Sequence, residues 1–592
     1  MCGIFALLNN ISTFQQKFVE EQFVKGEKRG PEFSKLQTYG TKCVLGFHRL
    51  AINGLNNVSN QPIIIDNIAL ICNGEIYNYQ QLYKMMKLVE PKTQSDCEVI
   101  IHLYKQYGMK QTLQMIDGVF SFVLYDTNTT TNNTSPKIYV ARDPYGVRPL
   151  YILKSNNSCN NSCNNSSIYG FASEMKVLTK FNEELGENYT IEHFQPGTYS
   201  KFLLNPGVEE NNNNNNNTFS WNLNKNYVKY HTNGFTSTMI YYNNNYNLSS
   251  YTQKVIEDIQ FYLYEAVKKR TLVTERPIAC LLSGGLDSSL ITAIVNDCYK
   301  THVSNDKPLE TFSIGLEGSE DLKYARIVAD YLGTKHTEIL LSEKDFIDAI
   351  PEVIYAIESY DTTSVRASIG NYLLGKYIAA HSDAKVIFNG DGSDELCGGY
   401  LYMHAAPNSI EFDKECRRLL KNIHAFDVLR SDKCISSHGL EPRTPFLDRT
   451  WVQKYLGIHP DLRYHPGNKQ CEKYLLRRAF SKEKYVNSNG QPLLPDCVLW
   501  RTKEAFSDGV SKTTRSLYEI IQESIPKNES KVEYTFNNPD TDEKYYYRTI
   551  FEKHYPGLEN VVPYFWMPRY IEAKDASART LAVYKEIHNN MV

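Results

Sequence analysis

No stretch of the 592-residue chain approaches the ~20 consecutive apolar positions that a membrane-spanning helix needs, so no membrane partner is expected. An excess of either charge is missing too. The 64 Lys and Arg nearly balance the 67 Asp and Glu, for a formal net charge of −3. That excludes both the basic footprint of a nucleic-acid binder and a polybasic membrane surface. The opening MCGIFALLNN lacks the basic start and small-residue cleavage site of a secretory signal, so a cytosolic protein is expected. Its 13 cysteines are then mostly reduced, and their odd number argues further against a disulfide framework. Cys159 and Cys163 form a C-x3-C pair, but no second pair or His cluster accompanies it, and no metal site is expected there.

What the chain does have is asparagine, concentrated at Asn211–Asn217, in SNNSCNNSCNNSS (155–167) and in YYNNNYNLSS (241–250). Such tracts bury too little apolar surface to offset the entropy of ordering, and they read as surface insertions. Outside them, 42% hydrophobic and 22% charged residues describe a globular protein too long for a single core. Three segments are expected: a domain over 2–204, an Asn-rich insertion or linker over 205–250, and a second domain over 251–592.

The first segment alternates short β-type runs with Gly, Pro and Asn punctuation, as in CGIFALL, CVLGFHRLAI, IALICNG, FSFVLYD and KIYVAR. CEVIIHLYKQYG interrupts them with a helical period that puts Val99, Ile100, Leu103 and Tyr107 on one face. Short strands packed on helices predict an antiparallel α+β layer domain. The last segment instead alternates buried strands with helices, through PIACLLSGGLDSSLITAIV, ETFSIGL and AKVIFNGDGSDE. That order predicts a parallel α/β sheet with ligand at the carboxyl ends of its strands, followed by a largely helical remainder.

Two strings carry chemistry. SGGLDSS (283–289) joins a buried strand to a helix N-terminus, where Gly284 and Gly285 allow backbone N–H groups to approach a phosphate. Ser283 and Ser288 add hydroxyls, and Asp287 offers a carboxylate for Mg²⁺. The spacing is not that of a Walker loop. At the other end of the chain, removal of Met1 would leave Cys2 with both a thiol and a free α-amine, a nucleophile beside its own base.

SGGLDSS resembles the pyrophosphate loop of the ATP-pyrophosphatases, and MCGI resembles the start of class II glutamine amidotransferases. In this order the two resemble the glutamine-hydrolysing asparagine synthetases. The likeness runs through RGPE, HRLAI, NGEIYN, YGVRPL, TTSVRAS, GDGSDE, FDVLR, PFLD, EKYLLR and WRTKEAFSDG, over nearly the whole chain outside the Asn-rich tracts. It implies an N-terminal α/β/β/α amidohydrolase sandwich followed by a parallel-sheet ATP-pyrophosphatase domain. It also implies a ligase that makes asparagine from aspartate, glutamine and ATP through β-aspartyl-AMP and channelled ammonia in a dry passage. Small molecules are then the partners, ATP and Mg²⁺ the cofactors, and a homodimer is compatible with this reading.

The resemblance also assigns residues. Cys2 is the nucleophile, with Asn73 and Gly74 as oxyanion donors. Arg49, Leu50, Ala51, Ile52, Asn53, Glu75 and Asp96 line the glutamine pocket together with Asn73 and Gly74. Leu281, Ser283, Gly284, Gly285, Asp287, Ser288, Ile314, Asn389, Gly390, Arg430 and Lys473 hold ATP. Asp287 and Asp394 take the metal, and Thr363 and Arg366 grip aspartate. Asp391 stands at a catalytic position where the family carries glutamate, one methylene longer, and Ala405 stands where lysine is common. These departures keep two other readings open: amidation of a different carboxylate, or a catalytically weakened scaffold. Glu32 and Lys28, which replace the usual Asp and His, lie away from the thiol in this reading.

Overall fold

The structure, a computed structural model, describes residues 2–10, 12–40, 42–87, 89–127, 135–156, 167–206, 219–234, 248–304, 306–504, 506–511, 515–527, 532–573, 575–581 and 584. The chain divides into two compact units. One gathers 1–232 with 436–440 and 552–561, the other 233–435, 441–551 and 562–592.

In the first unit the strands are β1 (Gly3–Leu8), β2 (Phe33–Tyr39), β3 (Cys43–Arg49), β4 (Ile63–Ile65), β5 (Ile68–Ile76), β6 (Gly118–Asp126), β7 (Lys137–Arg142), β8 (Tyr151–Ser155), β9 (Tyr169–Ala172), β10 (Tyr189–His193), β11 (Thr198–Pro206) and β12 (Phe219–Lys229). They form two antiparallel sheets, ordered β10-β8-β9-β1-β3-β2 and β12-β11-β7-β6-β5-β4. Alternate residues of each sheet point inward. Ile4, Ala6, Leu8 and Phe47 of one sheet therefore meet Ile71, Val123, Val140 and Phe202 of the other in a shared core. The opposite face of the second sheet, with Leu70, Phe122 and Leu124, is covered by Ile100, Leu103 and Leu113. On the outer face of the first sheet, Phe5 packs against Phe23 and Phe181. These come from helices α1 (Gln16–Val24), α2 (Val99–Met115) and α3 (Met175–Leu185), which complete the α/β/β/α layering.

Two details differ from the sequence reading. Tyr107 is 40% exposed although Val99, Ile100 and Leu103 are buried. The helix is kinked at Gly108, whose φ is +74°, and Met109 and Leu113 carry the buried face beyond it. The stretch 205–250, read as an Asn-rich connection, contains β12, which pairs with β11. Its Trp221 is 1% exposed and meets Tyr125 edge-on, so one buried indole anchors a strand that its asparagines disguise. The remaining Asn-rich tracts lie mostly outside the described residues; Asn211–Asn217, Cys159 and Cys163 are wholly outside them.

The second unit is built on a parallel sheet of β13 (Ile278–Leu281), β14 (Glu310–Leu316), β15 (Lys335–Leu341), β16 (Val386–Phe388) and β17 (Glu441–Arg443), ordered β15-β14-β13-β16-β17. All its neighbours pair in parallel. The chain moves outward from β13 to β15, then returns to the other side of β13 with β16. A crevice therefore opens between the carboxyl ends of β13 and β16, where ligands bind in open parallel sheets. SGGLDSS follows β13 into helix α4 (Leu286–His302), and GDGSDE follows β16. Gly284 has φ +72°, and a Cβ there would fall 2.4 Å from the Ala325 nitrogen, so the loop accepts only glycine. No helix among the described residues is long and apolar enough to cross a membrane.

Candidate active site

In the first unit, the carboxyl ends of β3 and β5 and the start of β1 bring together the residues expected around glutamine. The Cys2 thiol donates to the Leu50 carbonyl at 3.6 Å, and Arg29 Nε donates to the Cys2 carbonyl at 3.0 Å. Burial pushes the thiol up to about 11; Arg49 opposes that shift and Glu75 adds to it. Leu50, Ala51 and Ile52 are buried beside it. Asn53 Nδ2 donates to Glu75 Oε2 at 2.5 Å, and the Ile76 amide donates to Asp96 Oδ2 at 2.6 Å. The Cys97 thiol points at the Gly74 carbonyl, 3.5 Å away.

Asn73 lies on buried β5, with its Nδ2 3.4 Å from Ser173 Oγ and its Oδ1 buried without a partner. That long contact leaves the amide donor available for an oxyanion. Ser173 also accepts the Ile4 amide at 3.1 Å, tying the Asn73 side chain to the Cys2 strand. Arg49 donates to the Asn56 carbonyl at 3.0 Å, to Asn60 Oδ1 at 2.6 Å and to the Gly54 carbonyl, so the guanidinium holds the loop that follows it. Arg29, Glu32 and Ser173 were not singled out as site residues. Glu32 Oε2 accepts the Ala51 amide at 2.6 Å, and Arg29 is ion-paired to Glu174 at 2.7 Å.

In the second unit the crevice is a cavity. It is lined by Leu281, Ser283, Gly285, Asp287, Ser288, Ile314, Thr363, Asn389, Gly390, Asp391, Asp394, Arg430 and Lys473 from the expected set. Gly284 and Arg366 do not line it. At its floor, Lys473 Nζ lies 2.5 Å from both Asp287 Oδ2 and Asp394 Oδ1, and Lys503 Nζ lies 2.6 Å from Asp394 Oδ2. Burial works against the Asp394 carboxylate, yet Lys473 and Lys503 together hold it well below the usual carboxylate range. Ser393 Oγ donates to Asp287 Oδ1 at 2.7 Å. Gly399 makes room for this cluster, because a Cβ there would fall 1.9 Å from Lys473 Cε.

A second polar group stands at the wall. Tyr400 lies 2.5 Å from Glu395 Oε1 and 2.9 Å from Asp427 Oδ2. One phenol proton cannot serve both, so one carboxyl must carry a proton. Burial and the neighbouring Asp427 push Glu395 well up, whereas Arg430 holds Asp427 down against its burial. Arg430 Nη2 also reaches Asp391 Oδ1 at 3.4 Å, while Asp391 Oδ2 is buried without a partner. Burial pushes Asp391 up, and Arg430 opposes it.

The sequence reading missed Lys503, Ser393, Glu395, Tyr400 and Asp427. Lys503 lies inside WRTKEAFSDG, Ser393 and Glu395 inside GDGSDE and Asp427 inside FDVLR, with Tyr400 five residues beyond GDGSDE, so the signal was present at the level of strings. Thr363 faces the cavity with a buried Oγ1 that has no partner. Arg366, three residues on in helix α5 (Thr362–His381), is instead enclosed by Glu543 and Asp575.

A thiol-bearing sandwich and a parallel-sheet crevice thus stand on one chain. Residues 1–202 match the family model described as glutamine amidotransferase domain, and residues 258–414 and 407–575 match that described as asparagine synthase. The chain is 40% identical over 599 residues to the glutamine-hydrolysing asparagine synthetase of Gallus gallus, and 39% identical over 601 residues to that of Homo sapiens. Each comparison covers 99% of both chains. The chain belongs to the asparagine synthase family.

Proposed function

We propose that the chain makes asparagine, glutamate, AMP and pyrophosphate from aspartate, glutamine, ATP and water. The observation that carries this reading is the crevice where SGGLDSS and GDGSDE converge, with Asp287 and Asp394 bridged by Lys473. In the first reaction the Cys2 sulfur attacks the side-chain carbonyl of glutamine while the thiol proton passes to the α-amine. Asn73 Nδ2 and the Gly74 amide stabilise the oxyanion, and Arg49, Glu75 and Asp96 fix the substrate's charged ends. Ammonia leaves with the relayed proton, and water then releases glutamate from the thioester.

In the second reaction the aspartate β-carboxylate attacks the α-phosphorus and displaces pyrophosphate. The SGGLDSS backbone, Lys473 and Lys503 hold the phosphates, and Thr363 with Arg366 holds aspartate. Ammonia then attacks the acyl carbon and AMP leaves. Asp287 and Asp394 supply hard oxygen donors at a point where two ammonium groups now sit, and Mg²⁺ fits that set. When bound it neutralises phosphate charge. We place the reaction in the cytosol, in keeping with the free cysteines among the described residues. A homodimer is compatible with it.

The test is mass spectrometry of products from purified protein given glutamine labelled with ¹⁵N in the amide, aspartate, ATP and Mg²⁺. Labelled asparagine is expected. Asp391, one methylene shorter than the family's glutamate, favours a second reading with a different carboxylate acceptor. Amidation of another dicarboxylate in place of aspartate would support it.

Two further results are expected. Arg366→Ala lowers aspartate-dependent pyrophosphate release about 100-fold, the scale of one lost positioning contact; unchanged release would remove Arg366 from the aspartate site. Glutamine hydrolysis depends on an uncharged α-amine, whose ordinary pKa is near ~8. Its kcat/KM is therefore expected to fall about tenfold per pH unit below ~7, read as glutamate formed in the absence of ATP. A flat profile would exclude the amine as base.

A further inference from the structure

Arg366 has one carboxylate more than its charge requires. Its Nε and Nη2 donate to Glu543 at 2.8 and 2.5 Å, and its Nη1 and Nη2 donate to Asp575 at 2.7 and 2.9 Å. One carboxylate balances the charge of one guanidinium, and a bidentate pair uses two of its five N–H donors. The two acids here are unlike. The Glu543 side chain is 0% exposed, sits on helix Asp542–His554 and also accepts Gln522 Nε2 at 2.7 Å. The Asp575 side chain is 12% exposed, accepts its further hydrogen bond from the Ser577 amide of its own segment at 2.7 Å, and lies on a terminal segment whose described part has a single 3₁₀ turn, Ala578–Thr580. Asp575 is thus the exchangeable partner.

That segment, 575–581 with Tyr584, is a strap. Ser577 Oγ donates to Asp508 at 3.0 and 3.2 Å, Arg579 Nε lies 3.6 Å from Glu504 Oε2, and the Tyr584 hydroxyl donates to Glu504 Oε1 at 2.6 Å. Glu504 lines the nucleotide cavity next to Lys503, as do Thr363 and Ala367 on either side of Arg366. The strap therefore joins the arginine to the cavity wall.

We propose that Asp575 is an internal stand-in for a substrate carboxylate: it holds Arg366 while aspartate is absent, and the α-carboxylate of incoming aspartate displaces it and frees the strap. The inference rests on Arg366 being the aspartate grip. The exchange swaps one carboxylate for another, so the guanidinium is never left bare. Glu543 keeps the arginine paired throughout. Substrate must compete, and a strap closed in nine of ten molecules raises the apparent Kd for aspartate about tenfold.

The experiment compares the full chain with Asp575→Asn, using ammonium as nitrogen source and pyrophosphate as readout. Asp575→Asn is expected to lower KM for aspartate about tenfold with kcat unchanged, since Glu543 still pairs Arg366. In the unaltered chain, hydrogen exchange of a peptide covering 575–581 is expected to speed up on adding aspartate and to stay constant on adding glutamine. A raised KM or lowered kcat would make Asp575 a positioning residue and overturn the proposal. Unchanged KM with unchanged exchange would do the same, and the exchange measurement decides if the variant fails to fold. Should Arg366→Ala leave pyrophosphate release intact, the aspartate assignment itself fails; loss in Arg366→Ala beside a silent Asp575→Asn sinks the strap alone.

Discussion

Cys2→Ala is expected to lower asparagine formation from glutamine on the order of 10⁴-fold, the usual cost of deleting a nucleophile, while synthesis from saturating ammonium stays within about twofold. The Cys2 residue is half-buried, and among the described residues its thiol donates to the Leu50 carbonyl at a long 3.6 Å, so losing the sulfur removes little bonding. Chemistry, not stability, takes the loss. Burial pushes the thiol up, so the neutral thiol is the favoured resting form. The thiolate is therefore formed during attack, by transfer to a base, instead of being stored. Cys2→Ser keeps a proton to transfer but offers a weaker nucleophile, and it is expected to be nearly as inactive. The measurement is ¹⁵N-asparagine by mass spectrometry from labelled glutamine and, separately, from labelled ammonium. Loss of both would mean that Cys2 is structural or that the two reactions cannot be separated.

How much of this was legible in the sequence followed the range of the interactions. SGGLDSS could be placed because strand, turn and helix start lie within a few residues, and a left-handed Gly284 is a local demand. The partner of Arg366 is different in kind. Asp575 lies 209 positions away, and nothing near TTSVRAS reports that the arginine will be enclosed. Ser173, which steadies Asn73 from 100 positions away, was invisible for the same reason. β12 was hidden by composition: its exposed positions other than Phe219 and Leu223 are polar, and the burial of Trp221 depends on a sheet assembled from distant segments. Tyr107 failed at short range: it is the last residue before the kink at Gly108, so the helical period ends there and its ring stays exposed.

Lys473→Met is expected to lower aspartate-dependent pyrophosphate release about 10³-fold while glutamine hydrolysis remains unaltered. Lys473 adopts a left-handed backbone, φ +57°, at the cap of helix Tyr474–Ala479. Such a position costs a residue with a side chain about 1–2 kcal/mol, strain of the kind found at functional sites. Methionine retains the Cβ, the stem length and that strain, so the variant removes charge alone. What it leaves is Asp287 and Asp394, which share an ammonium 1% exposed. Deleting one partner of a buried pair costs about 3–5 kcal/mol, more than the strain, so the variant is expected to unfold at lower temperature. Lys503 moderates the loss through its 2.6 Å contact with Asp394. Because the exposed requirement is for positive charge between two hard carboxylates, added Mg²⁺ is expected to restore more of the variant's unfolding temperature than it adds to the unaltered chain. Equal shifts in both proteins would separate the lysine from the metal position, and would move Mg²⁺ off Asp287 and Asp394.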